Sequence, residues 1–275
     1  MRLRLLLGLG ACLGLAAVAQ SNPSHAGGEV NILVLKENGV GSAAQAQPFV
    51  DKFVVIAQKK LGWAAAKGTY HTERKSAEAY IDASKPQYGF LSLGAFLALE
   101  APRKLEVVGQ ATVSRAGGQQ YFLVSKTASD LAGCKGGKLA TNHADDPKFV
   151  ERVVFAGAAK LSDFKLEEAR RPLQGMKKVI NGEAVCALID DAQLAELPNI
   201  DGGKDLKTAW KSAALPPMVV VAFPSASDKA AFKGALGSLC EGDAKTVCGE
   251  IGIQSLKPAS SDAYAQVLAA YKKDK

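Results

Sequence analysis

Short and long apolar segments alternate along the first third of the chain. Residues 29–36 form a short run rich in β-branched side chains, and residues 63–72 and 88–91 have the same character. Between these runs, residues 48–62 and 76–86 carry apolar positions at helical spacing. Alternation of strand and helix predicts a parallel sheet that is covered by helices.

The pattern changes after residue 104. Two strand-like segments, 104–113 and 117–126, follow each other directly, and a second strand–helix alternation then begins. The apolar run 215–225 predicts a strand that returns to the first unit, and three helix-like segments finish the chain. A chain that leaves one unit, builds another and comes back crosses between them twice.

We therefore predict an α/β protein of two lobes. Residues 29–111 and 216–275 form the first lobe, residues 112–215 form the second, and two crossing segments form the hinge. Each lobe is expected to contain a mostly parallel sheet flanked by helices.

The first nineteen residues have the pattern of a signal peptide. Arg2 and Arg4 precede an apolar stretch, and Ala17-Val18-Ala19 supplies the small residues that a signal peptidase requires. We expect cleavage before Gln20 and export to the periplasm.

Three alternatives stay open at this terminus. Cleavage after Ala26 is a second possibility, and an uncleaved membrane anchor is a third reading of the apolar stretch. Residues 9–12, Leu-Gly-Ala-Cys, resemble a lipoprotein signal, whose cleavage would leave a lipidated Cys12.

Charge gives no sign of a nucleic-acid partner. The formal net charge of +7 falls to +5 when Arg2 and Arg4 leave with the signal peptide. The lysines are dispersed, and no stripe of basic and aromatic residues runs along the chain. A solvated surface is the expected role of these charges.

The cysteines suggest an oxidising compartment. Cleavage reduces five cysteines to four, an even number that suggests two disulfides in an exported protein. Cys240 and Cys248 are close in sequence, which leaves Cys134 to pair with Cys186. A metal site is the alternative, although there is no CxxC pair and the three histidines are scattered.

The order of these pieces resembles a known family. The resemblance is carried by residues 88–99 after the second helix, 130–141 opening the second lobe and 179–191 before its later strand, with 215–225 and 260–271. They resemble the two-lobed type II periplasmic solute-binding proteins of ABC transporters, in the phosphate/phosphonate-binding-like branch.

The resemblance implies a monomer that captures a small polar solute and delivers it to the permease of an ABC importer. It implies no cofactor, catalytic residue or metal. Contact with a membrane would be through the permease or, in the lipoprotein reading, through Cys12.

Ligands of open parallel sheets lie beyond the carboxyl ends of the strands, so the loops after strands are the candidate site. The predicted ligand-binding residues are Asn38, Gly39, Ser42, Tyr70, Thr72 and Ser92 in the first lobe, and Thr141, Asn142, His143 and Asp190 in the second. Ser92 fits two roles, a helix cap alone or a cap that also contacts the ligand.

The charge of the ligand stays open. In phosphonate binders the loop equivalent to residues 142–146 resembles a run of small hydroxyl residues, whereas it reads Asn-His-Ala-Asp-Asp here. Asp145 and Asp146 would repel a phosphate unless they cap the following helix, which is the role we predict.

Two other function classes fit an exported α/β chain. One is a hydrolase, against which the chain shows no G-x-S-x-G elbow, HExxH pair or phosphate loop. The other is a stand-alone binding or sensor protein of the same fold that serves no transporter.

Overall fold

The computed structural model describes residues 28–39, 42–114 and 116–273. The predicted signal peptide, its cleavage sites and Cys12 lie outside these ranges. None of the described helices is both long and apolar enough to span a bilayer.

The described residues form eleven strands and ten principal helices. The strands are β1 (Val30–Leu35), β2 (Ala66–His71), β3 (Tyr88–Leu91), β4 (Glu106–Val113), β5 (Tyr121–Ser125), β6 (Lys138–Thr141), β7 (Lys165–Glu168), β8 (Cys186–Asp190), β9 (Lys207–Lys211), β10 (Met218–Ala222) and β11 (Ile253–Pro258). The α-helices are α1 (Ala43–Leu61), α2 (Arg74–Ser84), α3 (Leu93–Leu99), α4 (Leu131–Cys134), α5 (Gln174–Ile180), α6 (Asp191–Ala195), α7 (Lys229–Ala235), α8 (Ala244–Glu250) and α9 (Ala265–Lys272), and Phe149–Val154 is a π-helix.

The strands form two sheets, one in each lobe. The first sheet has the order β11-β4-β10-β3-β1-β2 and the second has the order β7-β6-β8-β5-β9. We call the first sheet with α1–α3, α7 and α8 the first lobe, and the second sheet with α4–α6 and the π-helix the second lobe. The two-lobed α/β fold predicted from the sequence is confirmed.

Both sheets are mixed, so the expectation of mostly parallel sheets is wrong in that detail. Strand β1 is parallel to β2 and β3, and β6 is parallel to β7 and β8. The remaining ladders are antiparallel. In the first lobe the reason is that β10, arriving from the second lobe, inserts between β3 and β4 in the opposite direction.

The lobes are linked by two connections and by the last helix. Residues 114–120 join β4 to β5, and residues 212–217 join β9 to β10. Helix α9 lies across both lobes, because Lys272 pairs with Glu100 of the first lobe at 2.7 Å while Arg152 of the π-helix donates to the Tyr271 carbonyl at 2.9 Å. The C-terminal helix is therefore a third link that the sequence did not predict.

Three strands were not predicted from the sequence. They are β7, β9 and β11, and each lies at the edge of its sheet. The exposed or half-buried residues of β7 and β9 give no apolar run to detect. Strand β11 lies between two of the helix-like segments predicted at the C-terminus, in residues to which no element was assigned, and it pairs with β4.

The two predicted disulfides are confirmed. Cys134 at the end of α4 is bonded to Cys186 at the start of β8, and Cys240 is bonded to Cys248 in α8. Cys134 and Cys186 are fully buried, so this bridge ties a helix to the central strand of the second lobe.

One apolar cluster runs through both lobes. It contains Leu91 and Phe96 of the first lobe, Leu123 and Phe149 of the second, and Tyr264 just before α9. The two lobes are therefore in direct apolar contact as well as joined by the chain.

Candidate functional site

A cleft of about 670 Å³ lies between the lobes. Its first-lobe wall is built from the segments after β1, β2 and β3, and its second-lobe wall includes the segments after β6 and β7. Residues 117–119 of the first connection and Pro216 of the second close the hinge side. The cleft therefore lies at the carboxyl ends of parallel strands, where ligands of such sheets bind.

Seven of the ten predicted ligand-binding residues line this cleft. They are Asn38, Gly39, Thr72, Ser92, Thr141, Asn142 and His143. The two walls approach each other closely, because the Asn142 side-chain amide donates to the Asn38 carbonyl at 3.4 Å across the gap.

The other three predicted residues have different places. Ser42 is the N-cap of α1 and exchanges hydrogen bonds with Gln45 in a capping box. Tyr70 and Gly68 lie on the same face of β2, because alternate residues of a strand share a face. That face packs against Val50 of α1, so Tyr70 belongs to the core of the first lobe. Asp190 is fully buried directly behind the cleft wall.

Ser92 combines burial with a hydroxyl group that has no protein partner. The residue begins α3 and is 8% exposed, but its side chain makes no capping hydrogen bond. Its Oγ is buried and finds no hydrogen-bond partner among the described residues. A buried polar atom without a partner costs about 1–3 kcal/mol, which a bound solute could recover.

Thr141 uses its hydroxyl inside the protein. The Oγ1 atom donates to the Leu188 carbonyl at 2.9 Å and accepts the His143 N–H at 3.0 Å. These two bonds fix the loop that follows β6, so Thr141 shapes the cleft wall while both roles of its hydroxyl are occupied.

A buried ion pair crosses between the lobes. Lys36, directly after β1, lines the cleft, and its Nζ lies 4.0 Å from Oδ2 of Asp190, at the end of β8. The side chains are 7% and 1% exposed. Asp190 Oδ1 caps α6 by accepting the Gln193 N–H at 2.9 Å, whereas its Oδ2 accepts no hydrogen bond from the described residues.

A second ionic contact joins the two lobes. Arg74 of α2 forms a bidentate pair with Glu37 at 2.7 and 2.9 Å and reaches Asp146 of the second lobe at 3.1 Å. Asp146 also accepts the Phe149 N–H, which confirms its predicted capping role, and the Tyr271 hydroxyl. Two carboxylates therefore already neutralise Arg74.

Comparison with known proteins identifies the fold from similar structures and not from similar sequences. No protein-family model and no curated protein matches the sequence. A binding-protein component of a phosphonate ABC transporter from Pseudomonas aeruginosa is 15% identical over 87% of this chain and 84% of its own, with a TM-score of 0.64.

Two further solved structures agree with this one. A Xanthomonas citri protein bound to ATP is 11% identical over 87% of this chain and 96% of its own, with a TM-score of 0.66. A Prochlorococcus marinus protein in complex with methylphosphonate is 9% identical over 88% and 97%, with a TM-score of 0.65. The fold is that of the two-lobed periplasmic binding proteins.

Within this binding-protein fold, several cleft residues were missed by sequence reasoning. Lys36 and Arg74 follow β1 and β2. The rule that ligands lie beyond the carboxyl ends of strands, which identified Asn38 and Thr72, applies to them as well. That rule could have included them, but long charged side chains were assigned to the solvated surface. Gly117 and Gly118 were missed because they belong to a connection between lobes rather than to a strand end.

Replacing Ser92 with Ala and Thr141 with Val is expected to have opposite consequences for stability. T141V should lower the free energy of unfolding by about 1–3 kcal/mol, because the Leu188 carbonyl and the His143 N–H lose a buried partner. S92A should instead raise it, by up to about 1–3 kcal/mol, because it removes a buried hydroxyl that finds no partner among the described residues. Urea titration of both variants measures this, and equal losses would contradict the assignment.

Acidification is expected to destabilise the protein through His143. Burial lowers the pKa of this imidazole below its ordinary value, despite the opposing field of Asp190. The unfolded chain then binds more protons, so stability is retained above pH about 6.5 and decreases as the pH falls below it.

One histidine contributes a slope of at most about 1.4 kcal/mol per pH unit. Urea titrations from pH 8 to about 5 should show a smaller decrease in H143Q than in the unmodified protein. Burial also lowers the pKa of His71, so H71Q is the matched variant for this comparison. An unchanged slope in H143Q would refute the assignment.

Proposed function

We propose that this chain is an exported solute-binding protein that captures a small polar solute between its lobes and delivers it to an ABC importer. The observation that carries the proposal is the buried Ser92 hydroxyl, without a partner among the described residues, on the wall of an interlobe cleft of about 670 Å³. That volume is within the range of small-molecule sites. Two solved neighbours of the same fold hold methylphosphonate and ATP.

Capture would work by closure of the lobes on the solute. Contacts that exist only when the lobes are together, such as Arg74 with Asp146 and Lys36 with Asp190, favour the closed arrangement. A solute that contacts both walls adds its own differential affinity, and the open–closed equilibrium shifts by that amount. The permease would recognise the closed shape.

Several finer features belong to the proposal. We place the lobe boundaries at residues 111–112, near the end of β4, and at residues 215–216, within the second connection, and we assign the site to the loops after strands. Residues 1–19 would direct export to the periplasm, where two disulfides persist. The protein would act as a monomer that meets the membrane through its permease.

Mass spectrometry of the protein isolated gently from its native periplasm tests the function directly. Native spectra should show a co-purifying small molecule that denaturing conditions release. In a thermal-shift screen of oxyanions, amino acids and nucleotides, the released compound should then raise the melting temperature of the protein. A protein that carries no compound, and that none of the screened solutes stabilises, would contradict solute capture.

A further inference from the structure

The ammonium of Lys36 lies in the cleft, and none of the described residues accepts a hydrogen bond from it. Among the described residues its ionic partner is Asp190, and their 4.0 Å separation is longer than a hydrogen bond. Because the Lys36 side chain is 7% exposed, bulk water does little to solvate this charge. A buried cation in this condition gains from an additional oxygen acceptor.

Gly118 leaves open a niche beside this ammonium. Its φ of +83° is a left-handed conformation that disfavours side chains. A Cβ at this position would be 3.5 Å from Lys36 Nζ and 3.7 Å from the Tyr121 hydroxyl, so both groups border the same small space. All three residues line the cleft.

Ser92 lies beside Lys36 at the end of the neighbouring strand. The Ser92 N–H donates to the Leu35 carbonyl at 2.8 Å, so the two residues emerge from adjacent strands at the same level. Ser92 adds its unpartnered hydroxyl to the ammonium and the phenol. Ammonium groups only donate and hydroxyl groups can donate, so these three groups suit an acceptor.

The surrounding charges limit how negative that acceptor can be. The inner cleft is lined by two cations, Lys36 and Arg74, and by the carboxylates of Glu37 and Asp146, with Asp190 directly behind its wall. At the cleft mouth, exposed cations and carboxylates are equal in number: Lys75, Arg170 and Arg171 against Glu73, Asp145 and Glu168. One added negative charge can be matched by Lys36, whereas a second would face Asp190 at close range.

We propose that Lys36, Ser92 and Tyr121 anchor a singly charged oxyanion of the solute, and that Asp190 disfavours dianions. This inference rests on the proposed function, because it assumes that the cleft holds a solute. The ligand class is an organic molecule that carries one carboxylate or sulfonate group, and the rest of it would fill the cleft towards Arg74.

Calorimetric titration with butane-1-sulfonate tests the anchor. K36Q should weaken binding by about 10–100-fold, which corresponds to a charge-assisted hydrogen bond of 1.5–3 kcal/mol. The matched control K75Q removes an exposed lysine of the same cleft and should change binding by less than about threefold. A K36Q affinity within about twofold of the unmodified protein would overturn the anchor.

A second variant, D190N, tests the charge limit with n-propyl phosphate at about pH 8.5, well above the second pKa of about 6 that phosphate esters have. The unmodified protein should prefer the sulfonate by at least about tenfold, and D190N should remove most of that preference. Asn also caps helices, so D190N keeps the α6 cap. Binding of the phosphate ester as tightly as the sulfonate, or more tightly, by the unmodified protein would overturn the proposal.

The double variant K36Q/D190N controls for misfolding of the single variants, because it removes both charges and leaves neither one buried without its partner. It should unfold cooperatively and still fail to bind the sulfonate; sulfonate binding retained in this variant would overturn the anchor. If neither probe binds the unmodified protein, the anchor is rejected. Solute capture is judged separately, by the compound that co-purifies from the periplasm.

Discussion

Replacing Cys134 and Cys186 together by Ala is expected to lower the free energy of unfolding by about 4 kcal/mol. The bridge closes a loop with a sequence separation of 52, and its loss restores the conformational entropy of that loop to the unfolded chain. Both cysteines are fully buried beside the central strand β8, so the alanines also leave unfilled space. Urea titration of the exported protein measures the difference.

The second bridge supplies the matched control for this prediction. Cys240 and Cys248 are separated by 8 residues, and the same entropy relation gives about 2.5 kcal/mol for the double alanine variant. Non-reducing peptide mapping of the unmodified protein should recover both pairs. A smaller loss for the Cys134–Cys186 variant than for the Cys240–Cys248 variant would contradict the loop-length argument, and free thiols would contradict the pairing.

The central strands could be predicted because burial on both faces leaves a continuous apolar run. Strand β10 is the clearest example, since four of its five residues, Val219–Ala222, are buried. Helix α1 was located but its start was not. It begins at Ala43, ahead of the predicted residue 48, and the Ser42–Gln45 capping box marks that start in the sequence.

Strand direction and edge strands depend on tertiary contacts that a single segment does not record. The run in β10 reads the same whether it pairs parallel or antiparallel with β3, and only its arrival from the second lobe sets the direction. The edge strand β7, Lys165–Glu168, has Leu166 half exposed, because one side of an edge strand faces solvent. Such segments have the composition of loops.

The site was predicted where it follows from strand ends and missed where it follows from the meeting of two lobes. Ser92 and His143 come directly after or close to strand ends and line the cleft. The partnership of Lys36 with Asp190 joins residues 154 positions apart, from different sheets. No local pattern brings such residues together, so the polar contacts that cross the cleft appear only with the fold.

Replacing Phe149 by Ala is expected to cost about 3–5 kcal/mol of stability and to loosen the contact between the lobes. The Phe149 ring, 6% exposed, lies 3.4–3.5 Å from the position of a Cβ on Gly94 of the first lobe. It also packs edge-on against Tyr121 at a centroid distance of 5.8 Å. Removing the ring takes apolar area from the interface of the lobes as well as from the core of one lobe.

Phe155 provides the control, because it packs within the second lobe against Phe164 and Trp210 and is 1% exposed. F155A should lose a similar free energy of unfolding, within the range of large-to-small core substitutions. Solution scattering separates the two variants: F149A should show a larger radius of gyration than the unmodified protein under native conditions, whereas F155A should not. Because the extra expansion depends on a contact between lobes, equal scattering from F149A and F155A would show that Phe149 serves its own lobe alone.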